Sequence, residues 1–200
     1  MRATRYHLLS TTDIFLASRN EQLLGSLSLV RDGELGLPLE DVYADEVAAR
    51  RRQGVTMAEV SCLAVNGHGR ESKLAVVVQL MSHMAQFAAR QGVDELLIAV
   101  HPHHVGFYER FTGFEVIGEV KSYSAVCNNP AVALALDLKH GEINHPRAHR
   151  RFFGNPLPER DLTTTGCDEA TLAELHWIVE LTNQGGKHPR RTLPGIAAAA

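Results

Sequence analysis

The centre of this sequence is a strand, a long helix and a second strand in direct succession, and this unit limits the possible folds most. The run 57–65 is almost entirely apolar, 72–91 carries apolar residues at helical spacing, and 95–100 is apolar again. Such a unit forms a right-handed crossover, so we expect parallel pairing at the centre of a sheet. The predicted apolar stripe of the helix is Leu74, Val77, Val78, Met81, Met84, Ala85 and Ala88.

The flanking segments extend this unit into a mixed sheet. Leucine and serine alternate at 26–29, the period of a half-buried strand, in the second arm of a predicted β-hairpin. The predicted elements outside the central unit are strands at 13–18, 22–30, 114–123 and 131–138 and short helices at 41–52 and 102–111. This order predicts the class α/β (α+β): a mixed central β-sheet flanked by helices, parallel in the middle and antiparallel at both sides.

The sequence divides into three predicted regions. Residues 1–140 hold the sheet-forming segments and are the predicted core domain. Residues 141–184 are a predicted C-terminal helical extension, in which 168–182 is an amphipathic helix that packs back on the core. Residues 185–200 begin with two glycines and end in four alanines, and we expect them to be disordered.

Charge and composition exclude several classes of protein. The formal net charge of −3 argues against a general nucleic-acid binder, which usually carries a basic domain. No apolar run reaches the ~18 residues of a membrane span, and the first residues lack the apolar region of a secretory signal. Cys62, Cys127 and Cys167 show neither metal-site spacing nor a disulfide framework. We therefore expect a soluble, reduced, cytoplasmic protein.

A glycine turn between the first central strand and the long helix is the first candidate binding feature. Gly67, Gly69 and Arg70 follow the strand end at 63–65. Glycines let the backbone approach a ligand closely, and a helix N-terminus offers free N–H groups and a positive dipole end to a phosphate. The alternative is an ordinary strand-to-helix connection, because a lone glycine turn is weak evidence.

Two ionisable side chains are candidates for proton transfer. Tyr108 follows the second central strand on a short helix, which can place its phenol over the sheet to protonate a leaving thiolate. Glu59 lies inside an apolar strand, and a buried carboxyl with a raised pKa is a candidate general base. The alternatives are aromatic packing for Tyr108, together with Phe107 and Phe111, and a salt-bridged position for Glu59.

A group of histidines ends the second central strand. His101, His103 and His104 do not have the spacing of a helical zinc site, so no metal is predicted. His101 stands at the carboxyl end of the strand and is a candidate substrate contact instead. Ser61, two residues after Glu59, is a second candidate substrate contact.

Several segments in combination carry a family resemblance. They are 10–12, 25–33, 36–38, 46–47, 58–65, 101–104, 107–108, 113–114 and 128–131. Together they resemble the GNAT acyltransferase superfamily, and within it the N-acyl amino acid synthases, which are relatives of the acyl-homoserine lactone synthases. The similarity extends over about residues 8–182. Its most specific motifs, in combination, are Ala-Glu-Val-Ser-Cys-Leu-Ala at 58–64 and, within 101–114, His-Pro-x-His followed by Phe-Tyr and Gly-Phe.

The resemblance implies an N-acyltransferase with a GNAT-like fold. Such enzymes move a long-chain fatty acyl group from an acyl carrier protein thioester, or from acyl-CoA, to the amino group of an amino acid or its derivative, by direct attack of the amine. By the same resemblance Glu59 matches the strand acid that helps to deprotonate the amine, and Tyr108 matches the tyrosine that protonates the thiolate. The backbone of Leu63, Ala64 and Val65 would pair with the pantetheine arm. No permanently bound cofactor is implied.

The sequence departs from the family pattern at two places. The turn 66–70, Asn-Gly-His-Gly-Arg, does not fit the usual coenzyme A loop. This mismatch favours a carrier-protein donor, because such a donor has a single phosphate and needs fewer contacts from the loop. Carrier proteins are acidic, and a complementary basic patch is predicted from Arg70, Lys73, Arg147, Arg150 and Arg151. The chain also begins about a dozen residues before the hairpin, so we expect it to lack the superfamily's N-terminal strand and helices.

Two other functions stay open at this point. One is an acetyl-CoA-dependent N-acetyltransferase that acts on a small amine or a protein, which a standard phosphate loop would have favoured. The other is a non-catalytic module that binds acyl groups or carrier proteins. The expected lack of the N-terminal strand and helices favours this function. Binding without turnover would distinguish the module from either enzyme.

Overall fold

The computed structural model describes residues 4–66, 72–123 and 128–164, together with part of 168–177. Two compact units are present: residues 9–165, and residues 1–8 with 166–200. The elements of the larger unit are β1 (Thr12–Arg19), β2 (Gln22–Arg31), α1 (Glu40–Arg52), β3 (Met57–Val65), α2 (Lys73–Arg90), β4 (Glu95–Val100), α3 (Pro102–Phe107), a π-helix (Tyr108–Thr112), β5 (Glu115–Val116), β6 (Lys121–Tyr123), β7 (Asn129–Asp137), α4 (Gly141–Asn144), α5 (Pro146–Phe153) and a 3₁₀ helix (Glu159–Leu162).

The smaller unit contributes little to the described structure. It contains a short 3₁₀ helix, Arg5–Leu8, and helical backbone within 169–177. The amide of Thr171 donates to the Asp168 carboxylate at 2.7 Å near the start of that helical stretch. Most of the helix predicted at 168–182 and the whole predicted tail at 185–200 lie outside the described residues. The predicted domain boundary at residue 140 stays a prediction.

The sheet has the predicted mixed topology. Its strand order is β1-β2-β3-β4-β7-β5, with β6 also paired to β7. The central pair, β3 and β4, is parallel, and every other described pair is antiparallel. Because α2 joins the two parallel strands, the predicted strand–helix–strand unit is confirmed.

One apolar layer lies between the sheet and α2. Strand residues that alternate toward the helix, including Leu27, Leu96 and Leu134, are fully buried there. The buried positions of α2 are Val76, Leu80, Met81, Met84, Ala85, Gln86, Phe87 and Ala88. The predicted stripe is therefore right in the C-terminal half of the helix and wrong at Leu74, which is 46% exposed. Leu74 lies in the first turn of α2, before Val76, the first buried position of the helix.

A second apolar layer lies on the opposite face, under α1. Leu37, Leu39, Tyr43 and Val47 are fully or almost fully buried there. The Tyr43 hydroxyl lies 2.6 Å from the carbonyl oxygen of Ala131 on β7, which fixes α1 to the sheet. Both faces are thus covered where β3 and β4 pair, at Met57–Glu59 and Glu95–Leu97, as parallel strands require.

The single strand predicted at 114–123 is wrong. The structure has two short strands, β5 and β6, which both pair with β7 and are separated by residues 117–120. Gly118 lies in this break against the ring of Tyr43, and a Cβ atom there would stand 2.8 Å from two ring carbons. The strand breaks because the chain must pass this buried ring closely, and the sequence pattern does not show that contact.

Replacement of Gly118 by alanine is expected to destabilise the protein by about 1–3 kcal/mol, a typical cost of an added methyl group in a packed interior. Tyr43 cannot move away easily, because its hydroxyl is held by Ala131 and by the Glu119 carbonyl oxygen at 2.9 Å. Urea denaturation measures the effect. Gly141→Ala is the matched control, since its Cβ would meet only an ordinary contact at 3.8 Å. Equal stability of the two variants would contradict this account.

The segment after β7 packs on α2 through one buried polar side chain. Gln86 donates from Nε2 to the carbonyl oxygens of Phe152 at 2.7 Å and Asn155 at 3.1 Å. Its Oε1 accepts from the amide of Leu157 at 2.8 Å. Phe152 is 2% exposed, so α5 adds a side chain to the layer under α2.

None of the helices in the described part of the chain is long and apolar enough to cross a membrane.

Candidate active site

The two central strands separate after a short parallel stretch. The paired residues of β3 and β4 are Met57↔Glu95, Ala58↔Leu96 and Glu59↔Leu97. Beyond Glu59, β3 stays paired with β2 as far as Val65, and β4 stays paired with β7 as far as Val100. The two strands therefore form the sides of a V-shaped opening, which we call the cleft, with Glu59 at its vertex.

A β-bulge reshapes the β3 side of the cleft. Ser61 pairs with Ser28 and Ala64 pairs with Ser26, so one extra residue stands opposite Leu27. The extra residue lies at Cys62, whose φ of +53° is uncommon for a non-glycine residue. Bulges of this kind re-aim side chains and are frequent beside active sites. Here the bulge turns Leu63 and Val65 toward the α2 side of the sheet, where both pack against the core.

Glu59 is a buried carboxyl at the vertex of the cleft. It is 3% exposed, and its Oε2 accepts a hydrogen bond of 2.6 Å from the backbone amide of Leu39. Burial raises the pKa of Glu59 to about 8, and the Leu39 hydrogen bond opposes this rise. Nearby Cys62, Asp41 and Glu40 raise the same pKa further by repulsion. The salt-bridged alternative is wrong, since no cation pairs with Glu59 among the described residues. With a pKa of about 8 the carboxyl can act as a general base at slightly alkaline pH, where its ionised form is populated.

The face of the sheet beside Glu59 is open on the α1 side. Ile14, Ser28 and Ser61 form one row across β1, β2 and β3, and Leu16, Ser26 and Ala64 form the next. Ile14 is 42% and Leu16 61% exposed. Ser61 is half-buried, and its Oγ donates to Cys62 Sγ over 3.5 Å. The exposed part of this surface is small and apolar, and it ends at Ser28, which is 3% exposed in the row next to Glu59.

Tyr108 lies on the other face of the sheet. It begins the π-helix and packs on the core layer under α2, with its ring edge-to-face against Phe107 at 5.3 Å and Phe114 at 5.7 Å. π-Helical turns are rare and occur often at functional sites. Burial raises the pKa of Tyr108, so the phenol keeps its proton at neutral pH. Its hydroxyl has no hydrogen-bond partner among the described residues.

The remaining predicted residues have different outcomes. His101 is exposed at the end of β4, and its Nδ1 accepts from the His103 amide at 3.2 Å, which caps α3. Gly67, Gly69 and Arg70 lie outside the described residues, so the predicted phosphate turn stays a prediction. The rings of His101 and His103 both lie near His104, yet the described residues contain no group of three side chains placed to hold a metal ion.

Two features of the site could not be predicted from the sequence. The partner of Glu59 is the backbone amide of Leu39, and a backbone donor has no sequence signature. The separation of β3 and β4 was also missed, because two apolar strands look the same whether their full length is paired or only part of it. Ser26 and Ser28 had a signal in the alternating pattern at 26–29, which predicts one polar face for that strand.

Comparisons with known proteins agree with this geometry. The family model for the N-acyl amino acid synthase FeeM matches residues 1–137. The solved structure of FeeM, an N-acyl amino acid synthase from uncultured soil microbes, is 32% identical, with a TM-score of 0.64 over 70% of this chain and 79% of that chain. None of the curated proteins matches this chain.

Two more distant structures share the fold. The CoA-dependent acyl-homoserine lactone synthase BjaI is 18% identical, with a TM-score of 0.56 over 86% of this chain and 77% of that chain. The acyl-homoserine lactone synthase LasI is 16% identical, with a TM-score of 0.53 over 73% of this chain and 71% of that chain. At this identity the likeness concerns the fold alone.

Proposed function

Since the chain belongs to the family of the N-acyl amino acid synthase FeeM and is an acyltransferase, we propose that it moves a long-chain fatty acyl group from a carrier-protein thioester to the amino group of an amino acid. One observation carries this proposal. The cleft between β3 and β4 opens at a buried carboxyl, Glu59, with the phenol of Tyr108 on the opposite face of the sheet.

The cleft lets two substrates meet from opposite faces. In this proposal the acceptor approaches across the open α1 side, past Ser26 and Ser61, and presents its amine to Glu59. The acyl thioester enters from the α2 side, where Leu63, Ala64 and Val65 line the free edge of β3. That edge has no strand partner on the cleft side among the described residues, so its backbone groups can bond to a pantetheine arm.

The proposed reaction needs no covalent enzyme intermediate. The amine nitrogen forms a bond to the thioester carbon and loses one proton to the Glu59 carboxylate. The carbon–sulfur bond breaks, and the leaving thiolate takes a proton from the Tyr108 hydroxyl. Glu59 and Tyr108 then return to their starting states by proton exchange with water. The enzyme contributes proximity and proton transfer, which are worth large factors in rate.

Partly buried apolar side chains around the cleft favour a long acyl chain. Leu63 and Val65 on β3, Val77 on α2, Val100 on β4 and Val105 on α3 all pack at the edge of the core layer. In this proposal their exposed surfaces form an apolar lining at the wide end of the cleft. An acetyl group would leave this lining in contact with water, whereas a fatty acyl chain would cover it.

Exposed basic residues favour an acidic carrier protein as the donor. Lys73 at the start of α2 and Arg147, Arg150 and Arg151 on α5 are all exposed. Arg151 lies over the ring of Phe111 at 3.8 Å and donates to the Phe111 carbonyl, which holds it beside the π-helix that begins at Tyr108. The donor is a substrate, so no permanently bound cofactor is required, and the site of action in this proposal is the reducing cytoplasm.

Charge reversal on α5 tests whether the acyl donor is an acidic carrier protein that this helix recognises. Arg147→Glu is expected to raise KM for an acyl carrier protein several-fold at low salt, because complementary charges steer acidic partners to the site. KM for acyl-CoA should change little. Arg52→Glu is the matched control, since Arg52 is exposed on α1. An equal change with both donors would remove α5 from carrier recognition.

A product search tests the function itself. Purified protein is incubated with a long-chain acyl carrier protein, or with the matching acyl-CoA or acetyl-CoA, and with pooled amino acids, and N-acyl amino acids are sought by mass spectrometry. A long-chain product from the carrier protein is expected. Product from acyl-CoA alone would overturn the carrier-protein donor, and acetyl transfer alone would favour the N-acetyltransferase. Donor binding without any product would overturn the proposal in favour of a binding module.

A further inference from the structure

Arg51 holds together the corner of the chain that carries the hydrogen-bond donor to Glu59. Its guanidinium makes two bonds of 2.7 Å to the Asp32 carboxylate, through Nε and through one terminal nitrogen. It also donates to both carboxylate oxygens of Glu40, one of them at 2.7 Å. We call these three residues the Arg51 clamp. A planar guanidinium suits two carboxylates because of its fixed fork of donors.

The clamp requires a kink in α1. Glu40 and Arg51 are eleven positions apart in one helix, and a straight helix would separate them by about 16 Å along its axis, more than these two side chains bridge. Tyr43 has non-helical angles, φ −121° and ψ 40°, so the first turn bends away from the rest of the helix. The ion pair thus fixes the direction of this first turn, and the first turn begins directly after Leu39.

The two acidic residues of the clamp each connect to a segment next to Glu59, Glu40 through its carboxylate and Asp32 through its backbone amide. Oε1 of Glu40 accepts from the amide of Leu37 at 2.7 Å, which closes the turn that ends at Leu39. The amide of Asp32 donates to the carbonyl oxygen of Met57 on β3 at 3.0 Å, two residues before Glu59. The clamp therefore joins the strand that carries the acid to the turn that carries its donor.

The segment around the clamp is closely packed at Gly36, and a further hydrogen bond holds the turn that carries Leu39. Gly36 has φ +66°, and a Cβ atom there would stand 2.3 Å from Glu40 Oε1. Tyr123 donates from its hydroxyl to the carbonyl oxygen of Pro38 at 3.0 Å, which supports the turn from β6. The amide of Leu39 reaches the Glu59 carboxylate at 2.6 Å because the turn is held from both sides.

We infer that Arg51 is a positioning residue for the acyl-transfer reaction: by joining Asp32 and Glu40 it aims the Leu39 amide at the carboxylate that receives the amine's proton. This inference rests on the proposed function. Arg51 does not touch the cleft itself, and its effect passes through Leu39 to Glu59.

The charged groups around Glu59 determine the direction of the expected change. Cys62 on its own strand and Asp41 and Glu40 on α1 all raise the pKa of Glu59, and the Leu39 amide lowers it. Loss of Arg51 frees the Leu39 turn and leaves Glu40 without its cation. Both changes favour the protonated acid, so the pH at which Glu59 loses its proton moves upward.

Three variants of the full chain separate positioning from charge. In Arg51→Gln we expect the acidic limb of the kcat profile to move up by about one pH unit, a tenfold rate loss below the limb's midpoint, with KM for the acyl donor unchanged. Arg51→Lys keeps the charge but cannot bond to two carboxylates in the same way, and should recover less than half of the shift. Arg52→Gln removes a charge one residue later and should leave the limb in place.

A measurement that does not depend on turnover tests this inference separately from the proposed function. The titration of the Glu59 carboxyl carbon is followed by NMR in the wild type and in the Arg51 variants, with Glu59→Gln as the assignment control. An upward shift in both Arg51 variants supports positioning, even where no acyl transfer is detected. Full recovery by Arg51→Lys, or an unchanged titration in Arg51→Gln, would overturn it. Absence of acyl transfer by the wild type would overturn the proposed function instead.

Discussion

Replacement of Glu59 by glutamine is expected to lower kcat about 100-fold or more at pH 8, a typical loss for a general base. The glutamine keeps the size of the side chain and an oxygen that accepts from the Leu39 amide, but it cannot take the proton of the amine. Because the pKa of Glu59 is about 8, the wild type gains activity as the pH rises toward 8, whereas the variant lacks this rise.

The pH dependence of this loss decides the role of Glu59. Scarcity of free amine alone predicts the largest loss at low pH. Burial reverses that direction, since below pH 8 the wild-type carboxyl is itself mostly protonated and the two proteins become more alike. Rate profiles from pH 6 to 9 measure the ratio. A loss of equal size at every pH would mean that Glu59 has a structural role.

The same variant should be more stable than the wild type at pH 8. A carboxyl whose folded-state pKa of about 8 lies above its ordinary value of 4.5 binds its proton more tightly in the folded protein. Its contribution to stability is therefore full below about pH 4.5 and is lost as the pH rises to 8. Glutamine has no charge to bury, so thermal denaturation should show a higher Tm for Glu59→Gln at pH 8 and little difference at pH 5. A lower Tm at pH 8 would contradict the burial of an ionised Glu59.

Tyr108→Phe is the second variant with a large expected effect. It removes only the hydroxyl, and the ring contacts with Phe107 and Phe114 stay in place. Loss of a general acid costs typically 10²–10⁴-fold in rate, and we expect about 100-fold in kcat, with little change in binding of the acyl donor. Steady-state kinetics and donor binding measure the two quantities separately. Unchanged turnover would remove Tyr108 from the mechanism.

Tyr43→Phe is the control for this variant. Its hydroxyl is buried and bonded to two backbone carbonyl oxygens, and it has no role in the proposed reaction. Removal of this hydroxyl is expected to lower stability by about 1 kcal/mol or more, because it leaves buried acceptors without a donor. The two variants should thus differ in opposite ways: Tyr108→Phe loses turnover and keeps its Tm, whereas Tyr43→Phe loses Tm and keeps most of its turnover.

Most of the fold could be predicted from local patterns. The central unit at 57–100 follows from the length of its apolar runs and from the helical spacing of residues such as Met81 and Met84, both buried as predicted. The break between β5 and β6 could not be predicted, because it depends on the contact of Gly118 with the ring of Tyr43. These two residues are more than seventy positions apart in the chain.

The sequence by itself determined the order of the elements, the mixed sheet and the family, because these depend on apolar periodicity and on short motifs that are local in the chain. It also marked Glu59, since an acid in an apolar strand is conspicuous. Only the tertiary structure decided what Glu59 is: the last paired residue before β3 and β4 separate, buried, and bonded to the amide of Leu39. Those properties depend on burial and on contacts between distant segments, and the pKa of Glu59 is raised mainly because folding removes the carboxyl from water.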